Sequence, residues 1–197
     1  MEFRNWLVGN LASRRDRNQR LAVKLQSIGL DVKLEEAEAL GRTLTGRPHF
    51  ARVLVQKGYV TSIPQAFDQF LDESAKAYVP RPEPSFADAV GRISASGGLP
   101  VLAHPFRLAK SGPDRFDILI REMIEQGLRG IEAYHSDHTP AVVRRFLGLA
   151  SAYGLAVTGG SDFHGALNPD IRQGVGFGNL NVPDELVDLL YARATSH

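Results

Sequence analysis

Histidines and carboxylates collect at the ends of three short apolar runs. "LPVLAH" ends in His104, and "GIEAYH" carries Glu132, Tyr134 and His135, with Asp137 and His138 just beyond. "LAVTGGSDFHG" presents Asp162 and His164 after two glycines. Apolar runs separated by single helical patterns imply parallel βαβ units. The carboxyl ends of such strands converge on one face, where the sites of these folds are built. The chemistry that needs this cluster is divalent-metal binding, with neutral imidazole and carboxylate as ligands. A metal held this way acidifies a bound water and polarises a phosphoryl or carbonyl oxygen. Joint placement selects His104, Asp162 and His164 as the site. His135 and His138 lie in a polar loop and are expected to be solvated. Glu132 either pairs with an arginine or, with Tyr134 on one strand face, lines the site. Residues two apart in a strand point the same way, so Asp162 and His164 reach one ion if the strand continues. Gly159 and Gly160 let neighbouring groups approach closely there.

The elements that must position these residues fall into two regions. Up to about Arg81 the pattern is helical. Phe3, Trp6, Leu7 and Leu11 share helical spacing, as do Leu21, Leu25 and Ile28 before the stop at Gly29. "KLEEAEALG" and "RPHFARVLVQKG" predict two further helices, with Pro48 suited to a first turn and Gly58 to a C-terminal cap. "SIPQAFDQFLD" predicts a fourth, capped by Ser62. "VPRPEP" breaks any helix and marks a boundary, giving a helical subdomain over 1–81 and an α/β portion over 82–197. In the second region helices on Phe86, Val90 and Ile93, on Phe116 to Ile124 and on Val142 to Leu149 alternate with the three strands. Leu186, Leu189 and Leu190 form a last apolar face. The basic stretch "RRDRNQR" is expected to be a solvated helix face, since it lacks the aromatic interleaving of an RNA surface.

Composition narrows the classes. The 197 residues are 43% hydrophobic and 23% charged with a net charge of +1, so nothing pulls the whole chain towards nucleic acid or anionic membrane. There are no cysteines, which excludes disulfides, thiolate metal sites and cysteine nucleophiles. No run approaches the roughly 18 apolar residues of a membrane span. The start is a poor signal peptide because its apolar patch is short and its arginines follow it. The expectation is a cytoplasmic protein with no membrane partner.

At "VLAHP" and "GGSDFHG" the sequence resembles the PHP (polymerase and histidinol phosphatase) family of metal-dependent phosphoesterases. "GRPHFARVLVQKGYV", "AFDQFLDESAKAYVPR", "VLAHPFRL" and "GSDFHG" resemble, in order and spacing, the bacterial nucleoside 3′,5′-bisphosphate phosphatases and 5′→3′ exoribonucleases. The resemblance implies α/β architecture: the C-terminal part of a distorted (β/α)7 barrel of parallel strands with a helical insertion capping the active face. It implies divalent ions, manganese first and iron or zinc next, held in part by His104, Asp162 and His164. It also implies that Arg47, His49, Arg52, Lys76, Tyr78 and Arg81 hold substrate phosphates, a role guanidinium and ammonium groups suit. The family opens with a His-x-His strand, and no His-x-His occurs in this chain. The N-terminal part of the pattern is therefore expected to be missing.

The function this implies is hydrolysis of phosphate monoesters of nucleotides, or of the 5′ ends of short RNA, by metal-activated hydroxide. The alternative is a catalytically silent, truncated or split protein that acts at most as a binding module. Its partner would be the missing N-terminal fragment or a second copy. A metal-dependent amidohydrolase shares the strand-end logic but leaves the arginine-rich cap unexplained.

Overall fold

The computed structural model describes residues 2–41, 44–109, 112–165 and 169–194. The chain divides into two compact units, Met1–Glu83 and Pro84–His197. Among the described residues no helix is long and apolar enough to cross a membrane.

The first unit contains α1 (Glu2–Ser27), α2 (Leu34–Gly41), α3 (Arg47–Gln56) and α4 (Ile63–Ala66). The two apolar groups near the start belong to one 26-residue helix, α1. Only its second half is buried: Leu21 and Leu25 enter a core with Leu34, Phe50, Leu54 and Leu71, while Leu7 and Leu11 stay over 40% exposed. Gly29, at φ +85°, ends the helix, and the Leu30 N–H returns to the Leu25 carbonyl, the left-handed stop that glycine favours. Ser62 caps α4 by accepting from the Gln65 N–H. The predicted fourth helix continues after α4 as a π-turn over Phe67–Leu71, closed by the Asp72 N–H on the Phe67 carbonyl at 2.9 Å.

One expectation fails here. "RRDRNQR" is not wholly solvated. Arg15 and Arg20 are exposed and pair with Glu38 and Asp16, but Arg17 is only 8% exposed and Asn18 2%. The reason is helical period: Arg17 lies four and eight residues before Leu21 and Leu25, on the stripe that faces the core. Asn18 donates to the Thr45 carbonyl at 2.9 Å and so ties α1 to the segment that leads into α3.

The second unit contains α5 (Phe86–Ala95), β1 (Val101–Leu102), α6 (Phe106–Ala109), α7 (Pro113–Glu125), β2 (Gly130–His135), α8 (Pro140–Tyr153), β3 (Ala156–Gly160) and α9 (Glu185–Ala194). The strands form a parallel sheet in the order β1-β2-β3, as the strand–helix alternation predicts. Two helix starts follow from local chemistry. Ser85 and Thr139 accept from the backbone N–H three residues on, and Pro140 opens α8 with its φ preset. Ile131 and Ala133 of β2 pack with Phe116 and Ile120 of α7 and with Phe146 and Ala150 of α8. β2 carries a bulge: Glu132 pairs with Thr158 and Tyr134 with Gly159, which leaves Ala133 without a partner on β3. Bulges of this kind re-aim side chains near functional sites.

Phe146 is 1% exposed and at the centre of this core. Phe146→Ala is expected to destabilise the second unit by about 3–5 kcal/mol, measured by urea unfolding. A loss below about 1 kcal/mol would show that α8 does not carry the packing described.

Candidate functional site

The strand ends of the second unit hold most of the predicted ligands. β1 is short because the backbone leaves the extended region at once: His104 has φ +36°. β3 stops at Gly160, and Asp162 has φ +56°. These are the only non-glycine residues with positive φ among the described residues. Such conformations cost energy and persist where the surroundings hold them, commonly at functional sites.

Glu132 of β2 provides part of that hold. Its Oε2 accepts from the His104 N–H at 2.6 Å. A Cβ on Gly160 would lie 2.8 Å from Glu132 Oε1, so glycine is what admits the carboxylate beside β3. Burial pushes the Glu132 pKa up, opposed by the hydrogen bond from His104. Glu132 therefore pairs with backbone rather than with an arginine.

Asp162 takes a different partner. Its Oδ2 meets Arg107 Nη2 at 3.0 Å, and its carbonyl oxygen accepts from His164 Nδ1 at 2.7 Å. A carbonyl only accepts, so Nδ1 carries the proton and neutral His164 keeps its Nε2 lone pair for a ligand. The strand does not continue through Asp162 and His164, because the left-handed residue ends it. Asp162 and His164 remain neighbours through the turn instead, with His164 Nδ1 3.6 Å from Asp162 Oδ1. His164 is exposed, whereas Asp162 is mostly covered. Arg107 was not selected by sequence reasoning, though it lies three residues after His104 inside "VLAHPFRL".

His135 and His138 contradict the sequence expectation: they are 3% and 6% exposed. The loop after β2 folds back beneath aromatic side chains. Phe106 packs on both imidazoles, at 5.2 and 5.3 Å between ring centres, and Phe146 lies 5.1 Å from His138. His138 Nδ1 donates to the carbonyl of the bulged Ala133 at 2.8 Å, supplying a partner where the ladder is interrupted. His135 Nδ1 accepts from the Asp137 N–H at 3.0 Å. Burial lowers the pKa of both histidines, His135 further through His138. The His104 and His135 ring centres are 6.4 Å apart.

His104, Asp162 and His164 have the donor chemistry a divalent ion needs. Yet among the described residues no three histidine or carboxylate groups are arranged to hold one. His104, with Glu132 on its backbone N–H, and Asp162 with His164 stand at the strand ends as two pairs.

In the first unit the predicted phosphate-binding residues separate into two groups. Arg47, Tyr78 and Arg81 line one cavity of about 250 Å³, together with Arg17, Glu73, Val79 and Glu83. Arg47 Nη1 donates to the Leu71 carbonyl at 3.1 Å, and its guanidinium lies 6.0 Å and 5.8 Å from the Phe67 and Tyr78 ring centres. The π-turn thus presents both an acceptor and a ring to Arg47. Arg81 donates to the Asn10 carbonyl and pairs with Glu83. His49, Arg52 and Lys76 do not line this cavity. His49 is 9% exposed, and its Nδ1 accepts from the Gly46 N–H at 3.1 Å, capping α3. Burial lowers its pKa. Arg52 is half-buried and Lys76 exposed.

Comparison with known proteins places this geometry in context. No family profile matches the chain. A phosphoribosyl 1,2-cyclic phosphate 1,2-diphosphodiesterase of Eggerthella lenta is 34% identical over 168 residues, covering 81% of this chain and 60% of that protein. A 3′,5′-nucleoside bisphosphate phosphatase of Chromobacterium violaceum is 36% identical over 121 residues, covering 61% of this chain and 42% of that protein. In structure, a Bifidobacterium adolescentis protein assigned as a metal-dependent phosphoesterase superposes with a TM-score of 0.73 at 30% identity. That match takes in 94% of this chain and 64% of the other. The relatives it matches are PHP-family phosphoesterases. The chain spans about half the length of the curated relatives it matches. Those relatives are hydrolases of phosphate esters.

Two outcomes follow. At positive φ, which Asp tolerates and β-branched residues do not, Asp162→Val is expected to cost about 1–3 kcal/mol, whereas Asp162→Gly stays within about 1 kcal/mol of the parent. Equal losses in chemical denaturation would rule out backbone strain there. For His49 the folded pKa lies below the unfolded value of 6.5, so its contribution is complete above pH 6.5 and is lost as pH falls through the folded pKa. His49→Gln retains an acceptor for the cap and should lose less stability between pH 7 and 5, in thermal unfolding, than the parent does.

Proposed function

We propose that the chain carries the helical insertion and the C-terminal part of a distorted (β/α)7 barrel of a metal-dependent phosphoesterase. Its substrates would be phosphate monoesters of nucleotides: nucleoside 3′,5′-bisphosphates, or the 5′ ends of short RNA. The observation that carries this reading is the convergence of His104 and Asp162, both in left-handed backbone, on the carboxyl ends of one parallel sheet. His104, Asp162 and His164 are the proposed ligands of a divalent ion, manganese first and iron or zinc next. When bound, such an ion supplies Lewis acidity and a low-pKa water.

The chain's own residues would do the rest. The Asp162 carbonyl fixes the His164 tautomer that leaves Nε2 basic, a role such partners commonly have at metal sites. Glu132 sets the His104 backbone, and Arg107 orients the Asp162 carboxylate. Arg47, Tyr78 and Arg81 would bind phosphate oxygens, with Arg52 and Lys76 adding positive charge nearby. His49 would support them by capping the helix that carries Arg47. The relatives' activities, a bisphosphate phosphatase and a cyclic phosphate diesterase, support a nucleotide-related ester as substrate.

The test is manganese-dependent release of phosphate from adenosine 3′,5′-bisphosphate by the purified chain. Turnover that falls about a hundredfold or more in His164→Ala, with unchanged circular dichroism, is the expected result. No release at any metal concentration, or release indifferent to His164→Ala, would overturn the reading.

A further inference from the structure

Arg17 is a residue that neither its motif nor the phosphate assignment explains. It stands on the core-facing stripe of α1, about one helical turn before Leu21, at a position where a leucine would pack at no electrostatic cost. It is 8% exposed. Its Nε–H is buried and meets no acceptor among the described residues. An arginine is almost never buried without a partner, because removing its charge from water is expensive. Its surroundings add to that cost. Burial first, then the positive charges of Arg47, Arg14 and Arg81, pull its pKa down to about 10, with Glu83 opposing.

Three of these guanidiniums, on Arg17, Arg47 and Arg81, line the same cavity with Tyr78. Two of them are already restrained. Arg47 is held by the Leu71 carbonyl, and Arg81 by the Asn10 carbonyl at 3.4 Å. Of the lining carboxylates, Glu83 is engaged by Arg81 at 3.2 Å and is largely exposed, and Glu73 is exposed. The cavity, about 250 Å³, exceeds the roughly 30 Å³ of one water and falls short of the about 300–1,000 Å³ that encloses a drug-sized ligand. A single tetrahedral anion with its hydration suits it better than a whole nucleotide.

We propose that this cavity is a phosphate-monoester site in which Arg17 supplies the central guanidinium, between those of Arg47 and Arg81. A phosphate dianion neutralises the crowded positive charge, and pairs of its oxygens accept from the planar forks of arginine. The proposal deepens the nucleotide reading above and rests on it only for what carries the phosphate. Arg17 is then a specificity-determining residue of the helical unit, selecting a dianionic phosphate over a neutral or singly charged group.

The experiment uses the full chain with metal removed by EDTA, so that hydrolysis plays no part. Inorganic phosphate and adenosine 3′,5′-bisphosphate are titrated at constant ionic strength set with chloride. Binding is read by calorimetry and by the Arg17 Nε–H resonance in side-chain NMR. Phosphate is expected to shift that resonance and raise the melting temperature, while added chloride does neither. Arg17→Met should weaken phosphate binding about tenfold or more, and Arg17→Lys, which keeps the charge but loses the fork, should weaken it less. If Arg17→Met does not fold, the resonance of the parent protein and the Arg17→Lys affinity decide. A folded Arg17→Met that binds phosphate as the parent does overturns the proposal, as does an Arg17 resonance that millimolar phosphate leaves unmoved. Phosphate binding with these signatures, in a chain that releases no phosphate from adenosine 3′,5′-bisphosphate once manganese is restored, would sink the phosphoesterase reading and leave this one standing.

Discussion

The hydrogen bond between the His104 N–H and the Glu132 carboxylate, 2.6 Å long, is the interaction on which the strand-end arrangement depends. β1 provides only two residues of ladder, too few to fix the direction of the chain that leaves it. The carboxylate from β2 does so by holding the first left-handed residue in place. That carboxylate fits because the neighbouring position on β3 is Gly160, and the chain beyond Gly160 then turns through the second left-handed residue, Asp162. One acidic side chain of β2 thus holds the chain that leaves β1 and stands beside Gly160 of β3, and its buried position is what pushes its pKa up.

Beneath this layer the bulge in β2 has a consequence of its own. The unpaired Ala133 needs a partner for its carbonyl, and His138 supplies one from inside the loop. Taking up that role puts His138 against Phe106 and Phe146, beside His135 at the end of β2, which Phe106 also covers. Their buried imidazoles are accordingly neutral-favouring, and they support the face without standing on it.

The helical unit shows a comparable economy. A π-turn over Phe67–Leu71 gives Arg47 both a carbonyl and an aromatic ring, contacts that offset the rotamer entropy lost in holding a long side chain. α1 adds Arg17 from its core-facing stripe. The resulting crowd of positive charge is unfavourable by itself, a form of local strain that a matching anion relieves.

Much of this was legible in the residues alone. Period-3.6 and short apolar runs, with Ser62, Thr139, Pro140 and the glycine stops, determine the helices, the parallel strands and the strand-end level at which His104, Glu132 and Asp162 lie, because these signals are local in the chain. What only the tertiary structure decided is which polar groups are buried and with whom. Arg107 meets Asp162 across 55 residues of sequence, His138 turns inward to the carbonyl of the bulged Ala133, and Arg17 is covered because its stripe of α1 faces the core of the helical unit. Hydrogen bonds and burial between distant segments leave no periodicity in the sequence, so composition and spacing cannot specify them.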